Sequence, residues 1–387
     1  MQVANRFWGW GFLVSVAFTP GLMSAAIVGR WAVIGLGVPL VAELRLKAPL
    51  IVQAAVAAGV AWSAASLIAT PDTMDGLLFL FFMVVLVGAM GAASQAASLT
   101  PLLSGMCWGL LVSGGFCLAK AAGYPLVAEN NAGGYAGLFY NAEVLVELAA
   151  PLVVWAAAKR KWHLAAIGLL PIVMNQSRLA FLVVIFGLAV VYWPRAWRWR
   201  VITALGALAL AATVVGYLTI YGGKFGGGAL RMAMWYGTAL AITPAGRGLG
   251  WYRSTHMTEE FGHSDFLQAL AELGIGALFF AVIIVYALRN RRDIAEKAAF
   301  VAICAEMALS FPLHVPASAF LIAVLAGYLV RDCADVRVLQ SDGRVDDDSD
   351  AQRCPSSWRG NSIDRGSRGG VVSVRLPSPA LSQLGTA

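Results

Sequence analysis

The sequence predicts an all-α, polytopic membrane protein of about twelve spans, because only helices or closed barrels satisfy their backbone groups in lipid. Three observations predict it. Only 13% of the 387 residues are charged and 59% are hydrophobic, where a soluble domain carries about 25% charged residues. Apolar runs of roughly 17 to 25 residues recur along the chain. Basic residues collect in alternate short loops between those runs.

In order, spans are expected near 8–28, 29–44, 49–69, 74–93, 100–121, 137–158, 161–176, 178–194, 199–220, 266–288, 295–311 and 314–331. The first, "NRFWGWGFLVSVAFTPGLMSAAIVG", is long enough to remain in the membrane rather than to be cleaved as a signal peptide. Arg45 and Lys47 close the second span. After the fifth, "AGYPLVAENNAGGYAG" (122–137) has the Gly, Pro and Asn of a turn-rich loop. Lys159, Arg160 and Lys161 separate the sixth and seventh spans. The Trp-rich "YWPRAWRWR" (192–200), with Arg195, Arg198 and Arg200, reads as an interfacial anchor after the eighth, and Arg289, Arg291 and Arg292 follow the tenth. With Arg6, these basic loops place both termini on the cytoplasmic side by the positive-inside rule.

The parity leaves 221–264 as the longest external segment, and it carries Arg231, Arg247 and His263. Its glycine stretches, "YGGKFGGGALR" and "GRGLGWYR", lack the strand-turn-helix context of a nucleotide fingerprint and read as a flexible loop that lets a bulky substrate approach. Between them, "MAMWYGTALAITPAG" has the apolar spacing of an interfacial or re-entrant helix. The domain organisation is therefore a transmembrane unit over 1–331 and a cytoplasmic tail over 332–387, whose "DDDSD" and "RGNSIDRGSRGG" predict disorder. The five cysteines form no zinc or disulfide pattern. The pI near 9.3 reflects the inner loops and implies no nucleic-acid partner.

Spans six, eight and ten all start at the external face, and each start is polar. Span six opens "GLFYNAEVLVELAAP", with Glu143 and Glu147 four residues apart below Asn141. Span eight opens "NQSRLAFLVV", with Ser177 or Asn175 available as cap and Arg178 in the first turn. A cation there opposes the helix dipole, and a bound anion would reverse that penalty, because helix N-termini and the arginine fork both attract phosphate. Otherwise Arg178 snorkels to the interface or pairs with Glu143 or Glu272. Span ten opens "GHSDFLQALAELG", where Asp265, Gln268 and Glu272 share one stripe facing the bundle. His263 precedes that helix as a candidate general base. Asp265 either orients it or caps the helix in an Asp-x-x-Gln box with Gln268. His163 and His314 have no partner that the sequence identifies.

Several of these residues resemble, in order, the motifs of the bacterial O-antigen ligases and the related O-antigen and exopolysaccharide polymerases. Ser177-Arg178 opens a span as in that superfamily. Arg231, Trp235, Ala239-Leu240 and then Gly246-Arg247-Gly248-Leu249-Gly250 resemble its "R…W…AL…GxGxG" segment. His263 followed by "DFLQALAELGIGALFF" resembles "HNxxLQxxxExGxxG". The match covers roughly 135–290. It departs where Ser264-Asp265 stands for the usual Asn, and where Asn141-Ala142-Glu143 stands for Asn-x-Asn.

The resemblance implies a multi-pass enzyme of the bacterial inner membrane with its site facing the periplasm. Its donor would be an undecaprenyl-diphosphate-linked glycan and its acceptor a hydroxyl of lipid A-core or of a growing glycan, with inversion and without a metal or other cofactor. Arg178 and Arg231 would neutralise the diphosphate, and His263 would take the acceptor proton. Arg247, Asn141, Glu143, Asp265, Gln268 and Glu272 would contact substrate. Compact size and the "GHSDFLQ" segment favour a ligase over a polymerase. The short tail argues against a protein-targeted oligosaccharyltransferase. Outside the enzyme class stands a lipid-linked sugar transporter, whose polar residues would sit near the midplane on broken helices. A purely structural subunit leaves Arg178 and His263 without a role.

Overall fold

The structure is a computed structural model that describes residues 2–16, 45–124, 134–139, 142–192, 226–255, 264–289, 293–310 and 312–331. All regular structure in these residues is helical. The helices are α1 (Gln2–Val16), α2 (Leu50–Ser66), α3 (Thr73–Gln95), α4 (Thr100–Ala121), α5 (Ala142–Ala158), α6 (Trp162–Met174) and α7 (Arg178–Tyr192). They continue as α8 (Gly226–Leu240), α9 (Trp251–Thr255), α10 (Asp265–Leu273), α11 (Ala277–Arg289), α12 (Ile294–Leu309) and α13 (Pro316–Val330). The spans expected at 29–44 and 199–220, the residues Asn141 and His263, and the tail over 332–387 lie outside the described residues.

Four helical segments, Leu50–Ala69, Thr73–Gln95, Thr100–Ala121 and Asp265–Arg289, are long and apolar enough to cross a membrane. At 1.5 Å per residue they match a hydrocarbon core of about 30 Å. Their starts obey local chemistry. Asp72 caps α3, accepting from the amides of Met74 at 2.9 Å and Asp75 at 3.2 Å. Pro101 and Pro316 sit in the first turns of α4 and α13, where a missing N–H is harmless.

The core lies around α5 and α13. Every residue of α13 is buried, as are all those of α5 from Leu145 to Ala157. Helices apolar on every side belong in the middle of a bundle, and α5 is enclosed by α4, α6, α7, α12 and α13. At the crossing of α1 with α4, a Cβ at Gly11 would overlap the Leu102 carbonyl and one at Gly105 the Trp8 carbonyl. The absent side chains let the two backbones touch, which is how apolar helices gain packing where hydrophobic drive is weak.

Polar contacts sort the connections to two ends of the bundle. At one end the Lys47 amide donates to Ser94 Oγ at 2.9 Å, and Gln95 Nε2 to the Arg45 carbonyl at 3.0 Å. Arg331 reaches the Ala96 carbonyl at 2.9 Å and Asp293 at 3.3 Å. Glu296 there accepts from Trp155 Nε1 at 3.2 Å and pairs with Lys159 at 3.4 Å. The basic loops at Arg45, Lys47 and Lys159 thus share one end. The opposite end carries the contacts of Thr70, Glu147, Leu249 and Asp265.

The tenth expected span is interrupted. Its apolar run predicts one helix over 266–288, but α10 ends at Gly274 (φ +55°), a 3-10 turn covers Gly274–Gly276, and α11 begins at Ala277. The break frees the carbonyls of Ala271, Glu272 and Leu273, which need partners in a dry setting. The segment after α8 supplies two of them. Arg247 N–H donates to Ala271 O at 2.9 Å and Gly248 N–H to Glu272 O at 3.0 Å, while Ile275 N–H returns to Pro244 O at 3.0 Å. Trp62 Nε1 takes Leu273 O at 2.8 Å. We expect Trp62→Phe, which keeps an aromatic side chain but removes that donor with the pyrrole part of the indole, to lower stability by at least about 1–2 kcal/mol; thermal unfolding of the detergent-purified chain, compared with wild type, measures it.

The glycine segment is accordingly not the flexible loop its composition suggests. Besides those bonds, Leu249 N–H donates to Ser66 Oγ at 3.2 Å and Thr70 Oγ1 to Leu249 O at 2.9 Å. The segment is clamped between α2 and α10, and its glycines at 246, 248 and 250 carry positive φ. In the upstream stretch "GGGALR", residues from Gly226 onward form the first turns of α8. The interfacial helix expected there therefore begins earlier than its apolar spacing suggests.

Candidate functional site

The polar residues of the second end build a cluster around α10. Ser264 stands at the N-cap in extended geometry, its Oγ accepting from Leu267 N–H at 3.5 Å. Asp265, expected as a possible cap, is instead the first helical residue, and its own N–H donates to Ser310 O at 3.1 Å. That frees its carboxylate for other partners. Oδ2 accepts from Leu313 N–H at 2.7 Å, and Oδ1 lies 2.8 Å from His314 Nδ1. The Asp265 side chain is fully buried, whereas the His314 ring keeps 12% of its surface exposed. Phe79 of α3 packs edge-on against that ring, with centroids 5.7 Å apart.

The stripe of Asp265, Gln268 and Glu272 faces into the bundle as the helical spacing predicts; all three are buried. One turn separates each from the next, so Gln268 Nε2 reaches Glu272 Oε1 at 3.0 Å. The Glu272 carboxylate also accepts from the amides of Gly250 at 3.0 Å and Tyr252 at 3.2 Å. Burying a carboxylate is tolerable only with such donors around it. These bonds fasten the clamped glycine segment and the start of α9 to α10.

Glu147 of α5 joins the same cluster, accepting from the Ser310 hydroxyl. Its neighbour one turn earlier, Glu143, is exposed. Glu306 of α12 is buried within electrostatic reach of Glu147, and neither of its carboxylate oxygens has a hydrogen-bond partner among the described residues. Glu306 was legible in principle, since a carboxylate inside an apolar span is by itself a functional signal.

Arg178 stands at the start of α7, exposed and with no hydrogen-bond or ion-pair partner among the described residues. Of the two cap candidates, Ser177 takes the role, its Oγ accepting from Ala180 N–H at 3.3 Å. Asn175 instead clamps the preceding loop. It accepts from Tyr135 N–H at 2.7 Å and donates to Tyr135 O at 2.8 Å. Tyr192 Oη donates to Ala157 O at 3.0 Å, so α7 runs parallel to α5 with their C-terminal ends together. Counting back equal lengths from that contact, about 21 Å along each axis, brings Arg178 level with Glu143. The starts of α5, α7 and α10 therefore gather at one end of the bundle.

Arg247 is exposed, and its Nε donates to Ala241 O at 3.0 Å. Arg231 lies on α8, and His263 and Asn141 lie outside the described residues. Among the described residues, no group of three or more His, Cys, Asp or Glu side chains is arranged to hold a metal ion. His314 is the member of the cluster that sequence reasoning left without a partner. It is 49 positions from Asp265, and no local spacing connects the two.

Chemically, this end offers a buried carboxylate holding an imidazole, further buried carboxylates, and exposed guanidinium groups suited to an anion. No protein-family model matches the chain, and no curated protein matches it. Fold and cluster together define a class of protein: an all-helical bundle with membrane-length apolar helices and a polar site gathered at one end.

Proposed function

We propose that the chain is an O-antigen ligase-type glycosyltransferase, moving a glycan from undecaprenyl diphosphate to a hydroxyl of lipid A-core at the periplasmic face of a bacterial inner membrane. The observation that carries this reading is Arg178, exposed and without a partner among the described residues at a helix start. Such a cation works against the helix dipole unless an anion joins it. A diphosphate leaving group is that anion, and its charge grows as the glycosidic bond breaks. Arginines at a helix N-terminus stabilise that growth. Arg231 and Arg247 assist, and the resemblance assigns removal of the acceptor proton to His263. The resemblance assigns Asn141, Glu143, Asp265, Gln268 and Glu272 to substrate contact; the last three are buried and bonded within the protein, so in this reading they hold the shape of the site.

The reading carries with it about twelve spans, a periplasmic segment over 221–264 and a cytoplasmic tail. A polymerase of the same superfamily would use the same parts on a growing glycan acceptor. Transfer from a purified lipid-linked glycan to lipid A-core, in detergent or nanodiscs, tests the reading. We expect Arg178→Ala to lower turnover by about 100-fold or more, the size of losing one preorganised charge-stabilising group. Its unfolding temperature should stay near that of wild type, since the exposed side chain makes no hydrogen bond or ion pair among the described residues. Full turnover in the variant would refute the role of Arg178, and elongated carrier-linked chains without lipid A-core product would identify a polymerase.

A second reading has one observation in its favour. The break between α10 and α11 in a membrane-length segment resembles the broken helices that transporters build around substrate. Movement of a lipid-linked sugar across proteoliposomes, with no covalent transfer, would establish transport instead.

A further inference from the structure

We propose that His314, held by Asp265, is the general base of this site, the group that takes the proton from the acceptor hydroxyl; this rests on the glycosyl-transfer reading above. The argument starts from the two oxygens of one carboxylate. Asp265 Oδ2 already holds the turn before α13 through the Leu313 amide at 2.7 Å. If fastening the turn were the whole task, nothing further would be required. Oδ1 is directed to His314 Nδ1 at 2.8 Å. A carboxylate accepting from Nδ1–H leaves Nε2 as the basic nitrogen of the ring, fixing tautomer and orientation together.

Burial is divided as a base requires. The carboxylate is wholly withdrawn from water, while the His314 side chain keeps 12% of its surface exposed. Phe79 limits rotation of the ring from one side. Glu272 lies within electrostatic reach of the same imidazole, so an imidazolium formed there faces two buried carboxylates, Asp265 and Glu272.

In the step, the acceptor O–H proton moves to His314 Nε2 and the acceptor oxygen bonds to the anomeric carbon of the lipid-linked glycan. The bond from that carbon to the diphosphate oxygen breaks, and its electron pair leaves with the polyprenyl diphosphate. The imidazolium then returns its proton to water. Asp265 is the positioning residue, since it acts through the ring.

The test uses the full chain in nanodiscs with a polyprenyl-diphosphate-linked glycan as donor and lipid A-core as acceptor. We expect His314→Ala to lower kcat by about 100-fold or more with little change in donor KM, and added imidazole to restore a measurable part of the loss. His263→Ala should gain nothing from imidazole. Wild-type turnover in His314→Ala, or a loss that imidazole leaves untouched, would overturn the proposal. A second measurement is independent of turnover. The chain has four histidines, so the 15N spectrum of histidine-labelled protein, assigned with His314→Gln, reports the tautomer of this ring. We expect the Nδ1–H form in wild type and its loss in Asp265→Asn; an unchanged tautomer would refute the dyad. If the wild-type chain transfers no glycan at all, the glycosyltransferase reading fails and the base role with it, whereas the tautomer measurement still decides whether Asp265 fixes the ring.

Discussion

Gly246→Ala is expected to destabilise the protein by about 3 kcal/mol or more, because it combines a strained backbone with a direct backbone overlap. Gly246 has φ +81°, a conformation that L side chains rarely adopt, and its Cβ would lie 2.7 Å from the carbonyl carbons of Glu272 and Leu273. Neither obstacle is a flexible side chain. Both belong to the end of α10, whose carbonyls are held by the amides of Arg247 and Gly248. Relief would require separating the clamped segment from α10 and so exposing those bonds. Gly237→Ala is the control. It lies exposed in α8 with nothing within 4 Å of the added methyl, and Ala should stabilise that helix by up to about 1 kcal/mol. Thermal unfolding of both variants in one detergent measures the contrast; equal behaviour would show that the clamp is loose in solution.

Glu272→Ala should have the second largest effect. One carboxylate accepts from Gly250 N–H, Tyr252 N–H and Gln268 Nε2, and all of these groups sit in buried surroundings. Each buried donor left without an acceptor costs about 1–3 kcal/mol, and water admitted to the cavity offsets part of that, so a loss of about 3–5 kcal/mol is expected. Glu272→Gln should lose less, since its carbonyl oxygen still serves one or two donors while its NH2 opposes another. Hydrogen exchange supplies the local signature: the amides of Gly250 and Tyr252 should lose protection in Glu272→Ala before α3 or α4 does. Unchanged protection there would mean that Glu272 does not fasten the segment.

These expectations concern residues of very different legibility. The stripe of Asp265, Gln268 and Glu272 could be read from helical spacing, and its direction into the bundle is as expected, because side-chain direction in a helix follows from the residue interval alone. What each carboxylate holds could not be read that way. Glu272 fastens a segment about twenty positions away in sequence, Asp265 holds a histidine 49 positions away, and Glu147 meets Ser310 across 163 positions. The cap was misplaced by one residue for a related reason. Ser264 and Asp265 are both good cap residues, and the choice between them was made by Ser310 O and His314, which draw Asp265 into other bonds. The composition of the glycine segment suggests freedom, yet those glycines admit a close backbone crossing rather than motion.

The sequence by itself determined the helical, membrane-type class and most helix limits, as at α4, where the apolar run 100–121 and the helix Thr100–Ala121 coincide. Hydropathy and periodicity are properties of neighbouring residues, and in a medium without water each span must satisfy its own backbone, so local pattern suffices. Only the tertiary structure decided the interruption at Gly274, the clamp at Gly246–Gly250 and the pairing of Asp265 with His314. These depend on which donor meets which acceptor once the helices have packed, and buried polar groups far apart in sequence choose their partners by geometry rather than by spacing along the chain.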